Sequence, residues 1–465
     1  LFYTDILLTV WQNALKPAIF NLFAPLMARI WNVKRPVEAF VQVAYFFSQN
    51  SIKNTLEMTM SKGLNRRSFL RNMGLAAAAG AVASCNKVLP GLTNATTATN
   101  TTATTTTAAD NAALQNLGKL PKWKGFNIMD FFQPDPWYVG TPTPEEYFKW
   151  MADWGFDFVR IPVAYPIYLD MAQYQNYISA DDVYKIDDTK ASKIEQTVYL
   201  AQKYGLHVSL NLHRAPGYCV STGYHEPYNL WTDQQAQDAF NVHWSYWAKK
   251  FKNVSTSKIS FDLVNEPCLR ADVNNANSQT GPVPGPTYHT VAQTVTNTIR
   301  KENPAYYVIA DGNNGGSDAV PELADLKIGQ SCRGYYPFEI SHYKAPWVYP
   351  DPSYQPTPLW PGTVGGQYMS RAMLESYYKP WLDLAKQGVG VHCGECGAWK
   401  MTPHDVFLAW FGDVLDILTS NGIGFALWNF NGEFGILDSN RADVQYENWN
   451  GHQLDRQLLT LLQSK

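Results

Sequence analysis

Glu266, in Ser260-Phe261-Asp262-Leu263-Val264-Asn265-Glu266-Pro267, and Glu395, in His392-Cys393-Gly394-Glu395-Cys396-Gly397, each close a short apolar run and are followed at once by turn chemistry. Glutamate is almost never fully buried without a partner, so packing does not account for a carboxylate at such a place. Two carboxyl groups facing one gap can divide the cleavage of a glycosidic bond between them. One holds a proton for the leaving oxygen; the other, ionised, attacks the sugar carbon. Arg160, inside Phe156-Asp157-Phe158-Val159-Arg160-Ile161-Pro162, is a charge among apolar strand residues and needs a partner, for which a carboxylate is the natural choice. His213, His342, Tyr343 and Trp428 also sit at the ends of such runs. Neighbouring residues of a regular strand point to opposite faces, so Asn265 and Glu266 share a pocket only across a bulge or a strand end, and one is predicted there.

The elements that must position these groups alternate along the chain. Strand-like runs fall near Gly125–Met129, Phe156–Pro162, Leu206–Leu212, Ile259–Asn265, Tyr306–Ala310, Phe338–His342, Val389–Glu395 and Ile423–Trp428. Helical spacing separates them, as in Lys190–Tyr204, where Ile194, Val198 and Ala201 share a face and Gly205 supplies the C-terminal stop. Further helices are predicted over Gln234–Phe251, Pro403–Ser420 and Gln453–Leu462. Eight such alternations make a (β/α)8 TIM barrel with insertions, whose active sites lie at the C-terminal strand ends. A doubly wound sheet would want a glycine-rich phosphate turn after its first strand, and Gly125-Phe126-Asn127-Ile128-Met129 has none.

From about Lys122 onward the chain resembles family 5 glycoside hydrolases, the cellulase family of the Asn-Glu-Pro barrel clan. The likeness rests on an ordered set: Arg160, His213, Asn265-Glu266-Pro267, His342-Tyr343, Gly394-Glu395 and Trp428. The resemblance implies Glu266 as general acid/base, Glu395 as nucleophile and Asn265 on the sugar 2-OH. It further implies His213 and His342 lining the sugar site, Trp428 beneath the sugar, and Arg160 holding Glu395 in place and ionised. The family's sixth-strand motif carries a His and, one or two residues on, a Tyr that touches the nucleophile; Ser341-His342-Tyr343-Lys344 aligns with it in two registers. Cys396 stands where the family often has an aromatic residue. The implied activity is retaining hydrolysis of a β-glucan, of endo-β-1,4-glucanase type, with no cofactor and no metal. The same core residues serve relatives acting on mannan, xylan or β-1,3-glucan, and His213-Arg214-Ala215-Pro216-Gly217 resembles members acting on short glucosides.

Composition bounds the rest. With 465 residues, 45% hydrophobic, the chain can bury a large core, and a net charge of −3 gives no basic field for nucleic acid. A 14% aromatic share suits both core packing and stacking on sugar faces; Trp137, Trp231, Trp347, Trp360 and Trp399 fall in or near loops. Six cysteines are too few for a disulfide framework, although Cys219 and Cys268 follow neighbouring strands and could pair. Cys393-Gly394-Glu395-Cys396 also reads as a zinc or redox pair, but strand alternation sets Cys393 on the Glu395 side and Cys396 on the other. A glycan-binding protein without catalysis is a further alternative, which the presence of both carboxylates disfavours.

Met60-Ser61-Lys62-Gly63-Leu64-Asn65-Arg66-Arg67-Ser68-Phe69-Leu70-Arg71, followed by an Ala-rich run, resembles a twin-arginine export signal, and Val82-Ala83-Ser84-Cys85 resembles a bacterial lipobox. The expected organisation is therefore residues 1–59 as upstream sequence foreign to the mature protein and 60–84 as signal. Residues 85–117 follow as a Thr/Ala-rich tether and 118–465 as the catalytic domain, an exported monomer touching a membrane only through a lipidated Cys85.

Overall fold

A computed structural model of the chain describes residues 114–133, 142–171, 177–219, 225–275, 277–349, 351, 355–364 and 366–465. The export signal, Cys85, most of the tether and Trp137 lie outside them. The barrel strands are β1 (Lys124–Asn127), β2 (Phe158–Ala164), β3 (His207–Ala215), β4 (Ile259–Asp262), β5 (Tyr307–Asp311), β6 (Gly329–Gly334), β7 (Val391–Cys396) and β8 (Gly424–Leu427). Each pairs in parallel with its sequence neighbours, and β8 pairs with β1 to close the ring. Helices α1 (Glu145–Asp153), α2 (Asp188–Lys203), α3 (Gln234–Lys250), α4 (Gly285–Arg300), α5 (Arg371–Lys386) and α6 (His404–Ser420) follow the first four strands, β6 and β7, and α7 (Arg456–Gln463) ends the chain. Between β5 and β6 the crossover is a 3-10 segment, Pro321–Leu326. The result is the expected (β/α)8 barrel.

Parallel strands covered on both faces read as continuous apolar runs, and every residue of β2, β3 and β7 is buried or, for the side chains described, nearly so. The local signals act where the chemistry says they should. Asp187 caps α2 by accepting from the Thr189 and Lys190 amides, and Gly205 takes φ +82° just past its end, a left-handed position at which glycine is unstrained.

The sixth strand departs from expectation. It is Gly329-Gln330-Ser331-Cys332-Arg333-Gly334, and Phe338–Ser341 is a single helical turn in the loop beyond it. This glycine-bounded hexamer has Cys332 as its one apolar core residue and so carries no apolar run. It is a strand because its neighbours on both sides and its buried partners pair it, an outcome decided by tertiary context.

Four fully buried tryptophans, Trp244, Trp247, Trp381 and Trp410, fill the layer between barrel and helices. Three of them also brace the C-terminal loops: Trp244 Nε1 donates to Leu263 O (3.1 Å), Trp381 Nε1 to Ser317 O (3.2 Å) and Trp410 Nε1 to Tyr336 O (3.1 Å). At the opposite end Trp123 stacks on His207 (3.9 Å between ring centres) and, with Phe158, closes the barrel floor.

Candidate active site

Strand β4 stops at Asp262, and the chain then turns so that Glu266 adopts φ +49°. A non-glycine residue rarely takes this left-handed conformation. Here both backbone groups of Glu266 are held: its N–H donates to Asp311 Oδ2 (2.9 Å) and its carbonyl accepts from Tyr218 Oη (2.6 Å). The predicted break between Asn265 and Glu266 is thus a strand end with a left-handed residue, and it lets both side chains enter one site. A second irregularity delivers Glu395, because the register of β7 against β6 and β8 shifts after Cys393. That shift also corrects the alternation argument for the cysteines. Cys393 lies beside Cys332, Cys396 and Tyr378 of α5, on the helix side, while Glu395 points inward. Cys268, Cys332, Cys393 and Cys396 are buried free thiols, so the pairing of Cys219 with Cys268 is absent.

Two guanidinium groups and four carboxyl groups form the floor of the site. Arg160 donates to Glu395 Oε1 (2.6 Å), Asp262 Oδ2 (2.7 Å), Asn127 Oδ1 (3.1 Å) and Asn265 Oδ1 (2.9 Å). Arg333 donates through Nε to Glu266 Oε1 (2.8 Å), through Nη2 to Asn265 Oδ1 (2.9 Å), and to both oxygens of Asp311. Its Nη2 also lies 3.5 Å from Glu395 Oε1, so one guanidinium touches both strand-end glutamates. Asn265 Oδ1 is taken twice, which leaves its Nδ2 as a buried donor without a protein partner. Glu266 keeps 19% of its side chain exposed, against 4% for Glu395.

Burial, and next the charge of Glu395, push the Glu266 carboxyl up to about 7 against the pull of Arg333. Arg333 and Arg160 instead hold Asp311 below the ordinary carboxylate range despite its burial. His213, at the end of β3, is kept well below 6.5 by burial and the nearby arginines, hence neutral at pH 7. Its ring stacks on Trp428 (5.6 Å, 26°), and Phe132 meets both edge-on.

Of the residues singled out in the sequence, Arg160, His213, Asn265, Glu266, Glu395 and Trp428 come together at the C-terminal face. The sixth-strand pair does not serve as expected. The hydroxyl facing Glu395 belongs to Tyr335, 3.3 Å from Oε2, whereas Tyr343 turns its hydroxyl to Thr357 (3.3 Å). His342 packs against the Tyr335 ring (5.1 Å) at one remove from the carboxylates. The tyrosine beside Glu395 is therefore Tyr335, two residues after Arg333, and neither register of Ser341-His342-Tyr343-Lys344 supplies it. Among the loop tryptophans, Trp347, 57% exposed, stands edge-on to Trp399 (4.6 Å) beside His342 and Phe434 at the mouth. Trp231 is core, and Trp360 bonds Asp413.

Sequence reasoning missed Asp262, Asp311, Arg333 and Tyr335. Asp311 carried the same signal as the two glutamates, a carboxylate closing an apolar run before glycine. Arg333 carried none, lying in a strand whose one apolar core residue, Cys332, makes no run to contrast with.

Comparison with known proteins agrees with this geometry. The family model for cellulase, glycosyl hydrolase family 5, matches residues 109–434. Among curated proteins, Endoglucanase C of Acetivibrio thermocellus is 26% identical over 335 residues, 67% of this chain and 90% of that protein. Cellodextrinase A of Ruminococcus flavefaciens is 25% identical over 291 residues, 60% of this chain and 76% of that protein. Among solved structures, one described as a glycoside hydrolase superposes with a TM-score of 0.66 at 35% identity, covering 74% of this chain and 99% of that one.

Proposed function

The chain belongs to the cellulase family, glycosyl hydrolase family 5, and from that premise we propose that it cleaves β-1,4-linked glucan chains internally, with retention of configuration. The observation that carries the reading is the meeting of two strand-end carboxyl groups at one guanidinium, Glu266 at 2.8 Å and Glu395 at 3.5 Å. In the first step Glu266, protonated, gives its proton to the glycosidic oxygen while Glu395 attacks the anomeric carbon from the other face. The leaving chain departs as an alcohol and the sugar stays esterified to Glu395. Water then displaces Glu395, with Glu266 now taking the water's proton.

The supporting residues fit that sequence. Arg160 and Tyr335 aim the attacking carboxylate. The spare Nδ2 of Asn265 suits the 2-OH of the sugar being cleaved, a contact that strengthens as positive charge develops on the ring. Trp428, backed by neutral His213, offers a flat apolar face for that sugar. The endo and β-1,4 assignments take their support from the names of the endoglucanase relatives.

The test has two arms. Glu266→Gln is expected to lose activity severely on glucan and much less on aryl cellobiosides with good leaving groups, which need no protonation; equal loss on both would remove the acid role. A panel of polysaccharides with product anomers followed by NMR fixes linkage, mode and stereochemistry, and an α-anomer as first product would end the double-displacement reading. We also propose export and lipidation at Cys85, on the strength of Arg66-Arg67 and Val82-Ala83-Ser84-Cys85. Radiolabelled palmitate retained by a Cys85→Ala variant would refute it.

A further inference from the structure

An arginine on a general acid is a chemical contradiction. Guanidinium is charged at any working pH, and a cation 2.8 Å from Glu266 favours the carboxylate over the carboxylic acid. The acid step needs the opposite. A neutral histidine, the residue type in the family's sixth-strand motif, raises no such conflict.

The resolution lies one strand away. Asp311 closes β5, is fully buried, and receives both terminal nitrogens of Arg333 as well as the Glu266 amide. We infer that Asp311 is a fixed counter-charge that cancels Arg333 and so leaves Glu266 free to hold its proton, the Arg333–Asp311 pair acting as one unit. This rests on the reading of Glu266 as the acid and makes Asp311 a positioning residue, since it touches the acid's backbone and its arginine and no substrate.

The surrounding charges make Asp311 the nearest anion to Arg333, with Glu395 of β7 farther off at 3.5 Å and also raising the Glu266 carboxyl. From β2, Arg160 approaches Asp311 Oδ2 at 3.5 Å but is itself matched by Asp262 of β4 (2.7 Å) and Glu395 of β7 (2.6 Å). From α4, the Tyr288 hydroxyl donates to the Asp311 carbonyl (2.7 Å), and burial keeps that phenol and the Tyr335 phenol un-ionised. His213 of β3 is neutral. Arg333 therefore has Asp311 as its bidentate partner, and the Glu266 contact is a single bond through Nε.

The signs of the expected effects are opposite for the two halves of the pair, which a purely structural role would not produce. In Asp311→Asn, Arg333 loses its bidentate partner and keeps only Glu395 at 3.5 Å besides Glu266, so the Glu266 carboxylate is favoured and the basic limb of kcat/KM moves down by about one pH unit. In Arg333→His, Asp311 keeps only the longer approach of Arg160 and Glu395 loses its contact with Arg333, so the anions beside Glu266 favour its protonated form and the limb moves up by a similar amount. The double variant returns it to near the wild-type position.

The experiment is kcat/KM from pH 4 to 9 on an aryl β-cellobioside with a poor leaving group, for wild type, both single variants and the double, each checked for cooperative melting. Shifts of opposite sign that cancel in the double establish the inference. Shifts of the same sign, or no shift, overturn it, and because each single variant has its own required sign, the loss of one to misfolding still leaves a decision. Failure of the acid reading is distinguishable: in that case the basic limb persists in Glu266→Gln.

Discussion

Gly394→Ala is the substitution whose consequences the geometry specifies most closely. A β-carbon at this position would stand 2.5 Å from Ser331 Oγ and 3.4 Å from Arg333 Nη1. Ser331 Oγ is itself a hydrogen-bond partner of Arg333 Nη1 at 3.0 Å, so the side chain that must yield is tied to the arginine that touches both glutamates. Overpacking a rigid interior costs about 1–3 kcal/mol, and a lost bond to a charged donor about 1.5 kcal/mol more. The sum, about 2.5–4.5 kcal/mol, should lower Tm by roughly 3–6 °C in a domain of this size, where each kcal/mol is worth about 1.4 °C. The same displacement moves Arg333, so kcat/KM on glucan should fall with stability.

The decisive comparison adds Ser331→Ala. Removing Oγ leaves Ser331 Cβ 3.6 Å from the new methyl group, an ordinary contact, so the steric part of the loss should return and only the missing hydrogen bond remain. The double variant should then be more stable than the sum of the single variants by about 2.5–4.5 kcal/mol, because the steric cost disappears and the lost hydrogen bond is counted once instead of twice. Melting followed by circular dichroism, with kcat/KM at one pH, measures both. An unchanged Tm in Gly394→Ala, or strict additivity in the double variant, would refute the packing argument and with it the claim that glycine stands before Glu395 because Ser331 and Arg333 occupy the space.

Other consequences are smaller in scope. Tyr335→Phe removes a long hydroxyl contact to Glu395 (3.3 Å) and should cost about 1.5 kcal/mol, near tenfold in kcat/KM, whereas Tyr343→Phe, whose hydroxyl meets Thr357, should change it less than twofold; the reverse ranking would restore the other register. Since Glu266 is pushed up to about 7 by burial and the charge of Glu395, and acts as the acid, kcat/KM should fall as pH rises through about 7, and a profile flat to pH 9 would count against it. Glu226 is a buried carboxyl bound by Tyr165 and the Gly217 amide, and burial raises it to about 7. A raised folded value favours the protonated form, so its contribution to stability is complete below the unfolded value near 4.5 and is lost as pH rises through 7. Tm of wild type should therefore decline from pH 5 to 8 more steeply than Tm of Glu226→Gln, and parallel curves would contradict this.

Much of the site was legible because its signals are local. A carboxylate at the end of an apolar run is anomalous in any fold, and that is why Glu266 and Glu395 stand out before any coordinate is known. Arg160 stands out for the same reason, being a charge inside an apolar strand. The alternation of apolar runs with helical spacing likewise announces the barrel, and a barrel gathers its strand ends. Where the contrast vanishes, so does legibility. Strand β6 has Cys332 as its one core apolar side chain, its place in the ring comes from β5 and β7, and with it went Arg333 and the register of Tyr335.

Residue type and spacing alone thus determined that two glutamates, an arginine, an asparagine and a tryptophan would be drawn to one end of an eight-stranded barrel. Which carboxylate sits on which guanidinium, the left-handed turn at Glu266, the register shift before Glu395 and the pairing of Arg333 with Asp311 were decided only in three dimensions. The physical reason is that periodicity is a property of neighbours along the chain, while the partner of a buried charge is set by whichever strand packs across from it.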